Sequence, residues 1–133
     1  MRVVQLSDSL SVSDQIAVED VASIAKGGFK TLINNRPDHE APNQPSSDAI
    51  AVAAKAAGLD YYHMPMTARD FPGLDLEHLA TLVKDPAKPA LAFCRSGTRC
   101  TNLWVATHDI SQRDSCIAVA RQLGYDLSMA LKN

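Results

Sequence analysis

An apolar stretch that ends in a cysteine and turns at once into a helix leaves few folds open to this chain. Pro89-Ala90-Leu91-Ala92-Phe93-Cys94 reads as a buried strand, and Arg95-Ser96-Gly97-Thr98-Arg99 as a tight loop. From there Cys100, Leu103, Trp104 and Thr107 fall at helical spacing. A strand that feeds a helix belongs to a strand–helix alternation, and that alternation recurs along the chain. The order favours an α/β fold with a central, mostly parallel sheet covered by helices on both faces.

The rest of the pattern fits that frame. Arg2–Leu6 reads as a first strand, with Leu10–Val12 as its continuation or as a turn-strand. Val18, Val21, Ala22 and Ala25 form a helical stripe stopped by Gly27-Gly28. Phe29–Ile33 is the next strand, and Asp38–Ser47, with Pro42 and Pro45, is a surface loop. Ser47–Ala57 reads as a small-faced helix ended by Gly58, and Leu59–Met64 as a further strand. Asp75 sits where a helix carrying Leu76, Leu79, Ala80 and Val83 would be capped. A last helix turns Cys116, Val119, Ala120 and Leu123 inward and stops at Gly124, leaving Tyr125–Lys132 as a tail of a helical turn or two. In such sheets, sites lie beyond the carboxyl ends of the strands. Residues after Ile33, Met64 and Phe93 should therefore share one rim.

The chemistry concentrates in the cysteine loop. A thiol at a strand end, facing loop amides and a helix N-terminus, favours the thiolate, and those amides together with nearby arginines would lower its pKa by more than about a unit. Gly97 permits the tight turn this needs, while Arg95, Ser96, Thr98 and Arg99 complete an anion-binding loop. The bland reading is a buried core cysteine with two surface arginines; the combined run argues against it. Cys94 is thus the candidate nucleophile and Arg99 its partner at the loop's end.

Two families share such loops. Tyrosine and dual-specificity phosphatases place five residues between Cys and Arg, follow a His, and use an upstream Asp as general acid. Rhodanese sulfurtransferases have a shorter loop, and here four residues separate Cys94 from Arg99 while Phe93 stands in the His position. Beyond the loop, Leu10-Ser11-Val12-Ser13-Asp14-Gln15-Ile16, Phe29–Asp38 and Ala56–Tyr61 resemble a bacterial family, the phosphatase-like domain of β-lactamase hydrolase-like proteins, found alone or fused to metallo-β-lactamase-like hydrolases. That resemblance implies a dual-specificity-phosphatase-like fold over the whole chain, with a rhodanese-length loop. It also implies sulfur chemistry, because the fused hydrolase resembles persulfide dioxygenases. A narrower cradle would suit a lone sulfur, so the expected reaction is sulfur transfer through a Cys94 persulfide. Thiosulfate or a persulfide would be the donor, a thiol or cyanide the acceptor, and a persulfide-dioxygenase-like protein a partner. The competing expectations are a phosphatase acting through a Cys94 phosphocysteine, with Asp70 as general acid, and a non-catalytic anion- or partner-binding module.

Other residues have two readings each. Asn34, Asn35 and Arg36 either line the rim or form the turn before Pro37, and Arg69 faces the mouth or the solvent. Cys100 is either a second reactive thiol or a buried structural one. The four histidines are dispersed, so no metal and no cofactor are expected. With 13 Lys and Arg against 15 Asp and Glu, and no basic–aromatic tract, neither nucleic acid nor a membrane surface is an expected partner. Three cysteines without a framework spacing, and an N-terminus that turns polar at Ser7, point to a single cytoplasmic domain with free thiols.

Overall fold

The computed structural model describes residues 1–132. Its strands are β1 (Val3–Gln5), β2 (Leu10–Ser13), β3 (Thr31–Asn34), β4 (Asp60–His63) and β5 (Ala90–Phe93). Its helices are α1 (Asp20–Lys26), α2 (Ser47–Ala57), α3 (Leu76–Val83), α4 (Thr98–Ala106) and α5 (Arg113–Gln122). The strands form one sheet in the order β1-β2-β5-β3-β4, parallel except for β1. The α/β, mostly parallel architecture expected from the sequence is the one observed.

Strand β5 lies at the centre, and its two-residue alternation divides the core. Leu91 and Phe93 pack on one face with Ile16, Val21, Ile24 and Ile50 of the α1–α2 layer. Ala90, Ala92 and Cys94 point to the other face, against Leu79, Val83, Leu103, Trp104 and Cys116 of the α3–α5 layer. Small side chains at Ala90 and Ala92 let α4 settle close to the sheet. Every residue of α4 from Cys100 to Val105 is accordingly buried. The same parity sends the Cys94 side chain toward α4, which is what brings it to a helix N-terminus.

Several elements depart from the sequence pattern for local reasons. Arg2–Leu6 and Leu10–Val12 are not one strand: the Ser7 hydroxyl accepts from Ser9 N and Leu10 N at 3.2 and 3.1 Å and folds them into an antiparallel hairpin. Helix α1 begins later than its apolar stripe because the Asp20 carboxylate accepts from Ala17 N at 2.8 Å, leaving Val18 ahead of the helix. Asp75 occupies the cap position of α3 without a side-chain cap bond; its carbonyl takes Leu79 N instead. In α5 only Cys116 and Ala120 are buried, while Val119 and Leu123 are 36% and 37% exposed. Helix α5 packs chiefly on α4 rather than on the sheet, so a narrow stripe one turn long is enough. The tail makes one turn, Leu131 N on Leu127 O. Among the described residues no helix is long and apolar enough to cross a membrane.

The contrast between β5 and α5 can be measured. Leu91→Ala should lower unfolding free energy by about 2–5 kcal/mol in urea denaturation, since a fully enclosed side chain leaves a cavity. Val119→Ala should stay within about 0.5 kcal/mol; equal losses at the two positions would contradict the assigned faces.

Candidate active site

The carboxyl ends of β2, β5 and β3 stop level with one another, with Ser13 and Asn34 both in register with Phe93. Cys94 is the next residue, and its N–H donates to Ser13 O at 3.4 Å. The chain then turns through Arg95, Ser96 and Gly97. Gly97 has φ +88°, a left-handed conformation that side chains resist. A Cβ there would also meet Ser13 O and the Tyr125 hydroxyl at 3.4 Å. This turn swings the Gly97 N–H onto the Cys94 sulfur at 3.1 Å. Gly97 O in turn accepts from Thr101 N and Thr101 Oγ1 at 3.0 and 2.9 Å, locking the loop to α4. On the other side Gln15 N donates to Arg95 O at 3.3 Å.

The Cys94 thiol is brought from the usual cysteine range down to about 5. The largest cause is a hydrogen bond from the Cys100 thiol; burial opposes it, and the N–H groups of Cys100, Ser96 and Gly97 add to it. Helix-start amides were expected to act here. The arginines were expected beside them, whereas the leading donor is Cys100, whose own proton is held by burial and by the adjacent Cys94 sulfur. At neutral pH Cys94 is therefore a thiolate and Cys100 a thiol.

Arg99 is fixed by a residue the sequence reading passed over. Its NH1 donates to Glu40 Oε2 at 3.0 Å and to Met66 O at 3.1 Å, and its NH2 donates to Glu40 Oε1 at 2.7 Å. Glu40 Oε1 also accepts from Arg36 Nε at 2.9 Å, and Arg36 NH1 reaches Gln15 Oε1 at 3.0 Å. The two guanidiniums hold the Glu40 carboxyl below its usual range, chiefly through the Arg99 hydrogen bond. Counting donors, Arg99 keeps Nε–H and one NH2 hydrogen for a ligand; these form the side edge of its fork. Glu40 and Met66 O thus hold the NH1 side and the end of the fork, and leave its Nε–NH2 edge without a protein acceptor.

The other sequence candidates separate in space. Arg95, Ser96, Thr98 and Arg99 line one cleft of about 490 Å³ with Glu40, Thr67, Asp126 and Met129. Arg36 joins Arg95, Arg99 and Glu40 around an adjoining cleft of about 410 Å³. Asn34 and Asn35 are buried: Asn34 Nδ2 donates to the Tyr61 hydroxyl and its Oδ1 accepts Arg36 N, while Asn35 Nδ2 donates to Met64 O. Both stitch the end of β3 to its neighbours, which is the turn-forming reading. His63 on β4 is exposed, with Nε2 2.9 Å from Arg36 O. Arg69 lines a separate cleft of about 710 Å³ with Phe71, Leu76 and Arg113, beyond a ridge made by Ala68 and Met129. Asp70 does not line the mouth either. Its carboxylate caps the short turn Ala68–Asp70, accepting from Thr67 N and Thr67 Oγ1 at 2.9 and 2.7 Å. Those bonds, led by the Thr67 hydroxyl, lower its pKa, so Asp70 is ionised rather than poised to give a proton. The Thr67-x-x-Asp70 spacing is a capping signature, visible in the sequence but not used.

The family model for "Beta-lactamase hydrolase-like protein, phosphatase-like domain" matches residues 1–112. A β-lactamase hydrolase-like protein of Xylella fastidiosa is 32% identical over 134 aligned positions; the match covers 98% of this chain and 31% of that protein. The chain therefore spans about a third of that relative's length. Among solved structures, a candidate phosphatase of Neisseria meningitidis is 35% identical with a TM-score of 0.76, covering 96% of this chain and 92% of that one. PTPMT1 in complex with PI(5)P shares the fold at 12% identity and TM-score 0.71, over 96% and 89% of the two chains. These matches overturn the sulfurtransferase expectation, with its Cys94 persulfide, and lend no support to sulfur donors or a dioxygenase-like partner: both the family and the 35%-identical solved relative are of the phosphatase kind. The chain belongs to the phosphatase-like domain family of β-lactamase hydrolase-like proteins.

Proposed function

We propose that this domain hydrolyses phosphate monoesters through a phosphocysteine on Cys94. The observation that carries the reading is the buried Cys94 sulfur, held as thiolate by surrounding donors at the start of the loop whose Arg95, Ser96, Thr98 and Arg99 line a cleft. In the first step the thiolate attacks phosphorus and the bond to the ester oxygen breaks, the electron pair leaving with that oxygen. Loop N–H groups and the free edge of Arg99 accept the charge on the equatorial oxygens. Water then attacks the phosphocysteine, releasing phosphate and returning the thiolate. That the PTPMT1 relative is complexed with PI(5)P, a phosphate ester, supports the substrate class.

The leaving oxygen receives little help. Glu40 and Asp126 are the carboxylates lining the cleft, and both are lowered, by Arg99 and by the Ser128 N–H respectively. Asp70 is ionised in its cap. With those acids deprotonated at neutral pH, esters whose oxygen leaves without a proton are favoured. Aryl phosphates are therefore the expected substrates, ahead of alkyl phosphates.

Two measurements test this. Cys94→Ser should reduce p-nitrophenyl phosphate hydrolysis to background, while the wild-type rate rises with pH through about 5 as Cys94 loses its proton. An acid limb near 8 or 9 would contradict the thiolate account. In a second comparison, Glu40→Gln should cost about tenfold or more in kcat/KM by releasing Arg99, and Asp70→Asn less than about threefold on the same aryl ester. A loss of about 10²-fold or more in Asp70→Asn would restore Asp70 as the general acid.

A further inference from the structure

The cleft of about 710 Å³ that holds Arg69 has no part in the phosphocysteine steps, yet it is larger than both clefts at the cysteine loop. Its volume falls within the roughly 300–1,000 Å³ of small-molecule sites. Phe71, Leu76 and Met129 give it an apolar wall, and Arg69, Arg113 and Lys132 bring three cations to it. Among the described residues no carboxylate lines it, and none of these cations belongs to an ion pair. Asp70 follows Arg69 in the chain but turns its carboxylate to Thr67 N and Thr67 Oγ1.

Arg113 is held in a defined orientation. Its Nε donates to His108 O at 2.9 Å and its NH2 to Ala106 O at 3.3 Å, so the side edge of its fork is occupied. The end edge, with one N–H on each of NH1 and NH2, is left over and matches the two oxygens of a carboxylate. Arg99 is anchored by a carboxylate that offsets its charge, whereas Arg113 is anchored by neutral carbonyls and keeps its own. The two clefts adjoin, because Ala68 and Met129 line both. Helix α4 sets the span between them: Thr98 lines the loop cleft and Ala106 the larger one. The helix rises about 12 Å from the first to the second.

Building on the phosphatase reading, we propose that the larger cleft is a specificity subsite for the alcohol half of the ester. It selects small aryl phosphates whose apolar body ends in a carboxylate. The aryl body crosses Ala68 and Met129 and lies against Phe71 and Leu76. The transferred phosphate meets the cysteine loop and Arg99, while the retained carboxylate, about 12 Å further along α4, meets the end edge of Arg113 and the charge of Arg69.

Two esters that differ at one position test this: biphenyl-4-yl phosphate and the same ester carrying a 4′-carboxylate. On the wild-type protein the carboxylate should raise kcat/KM by about tenfold. Arg69 is exposed, so Arg69→Gln spares the core, and it should cut that gain by about threefold. Adding Arg113→Gln should abolish the gain. The ratio of the two esters is the readout, because damage to the fold slows both alike. Biphenyl-4-carboxylate, which has no phosphate to lose, separates this proposal from the phosphatase reading. In heteronuclear NMR it should shift the Met129 methyl and the Arg113 Nε–H signals, with Kd weakened about threefold by Arg69→Gln. Those shifts without turnover of either ester would end the phosphatase reading and leave the carboxylate site standing. Equal kcat/KM for the two esters, or carboxylate shifts confined to the Arg95–Thr98 loop, overturns the proposal.

Discussion

Everything at the candidate site depends on N–H and S–H donors surrounding a single buried sulfur. An unpaired thiolate in an apolar layer would be costly, and burial alone would push Cys94 toward the neutral thiol. The donors reverse that, and they exist only because the chain turns at Gly97 into α4. The turn in turn requires a residue tolerant of φ +88°, set beside Ser13 O and the Tyr125 hydroxyl. Ala90 and Ala92 on the α4 face of β5 leave room for the helix that follows the turn. Sheet register, helix packing and thiol chemistry are in this sense one constraint.

A second set of contacts readies the anion side. Glu40 lies in the loop after β3, yet its carboxylate ties its neighbour Arg36 to Arg99 at the start of α4. Such a carboxylate removes part of the positive field that a phosphate would feel. What it gives is orientation: a guanidinium with one edge anchored has its other edge aimed. Arg36 is buried and shared between Glu40 and Gln15, so it supports the network rather than presenting a free charge. The Asn102 amide performs a similar service at the far side, donating to Thr98 O and Asp126 O and accepting from Ala130 N, which fixes the tail that supplies Asp126 and Met129 to the mouth.

The features read well from sequence were those whose cause is local. The strand, the Gly97 turn and the start of α4 follow one another along ten or so residues, so the donors around Cys94 could be anticipated from the run itself. Glu40 could not: its partner Arg99 is 59 positions away, and the intervening loop carries no periodic signal. Cys100 was visible on the apolar stripe, but an apolar stripe says only that a side chain is enclosed, not that it touches another sulfur. Asp70 was placed by analogy with general acids upstream of a catalytic cysteine, although Thr67 three residues earlier marks it as a cap. The α5 stripe failed for a related reason, since helical spacing shows which residues align but not how wide a face the neighbouring helix covers. The sulfur-transfer reading rested on loop length, a property of the chain count, and on the chemistry of a fused hydrolase that lies outside this domain.

The central claim is that the ringed Cys94 sulfur becomes the covalent acceptor of phosphate. It is tested most directly by mixing the protein with a radiolabelled aryl phosphate, quenching within milliseconds to seconds, and mapping the label. The account predicts label approaching one per chain on the peptide that carries Cys94, decaying as phosphate is released. Release of phosphate with no label on that peptide at any quench time would contradict it.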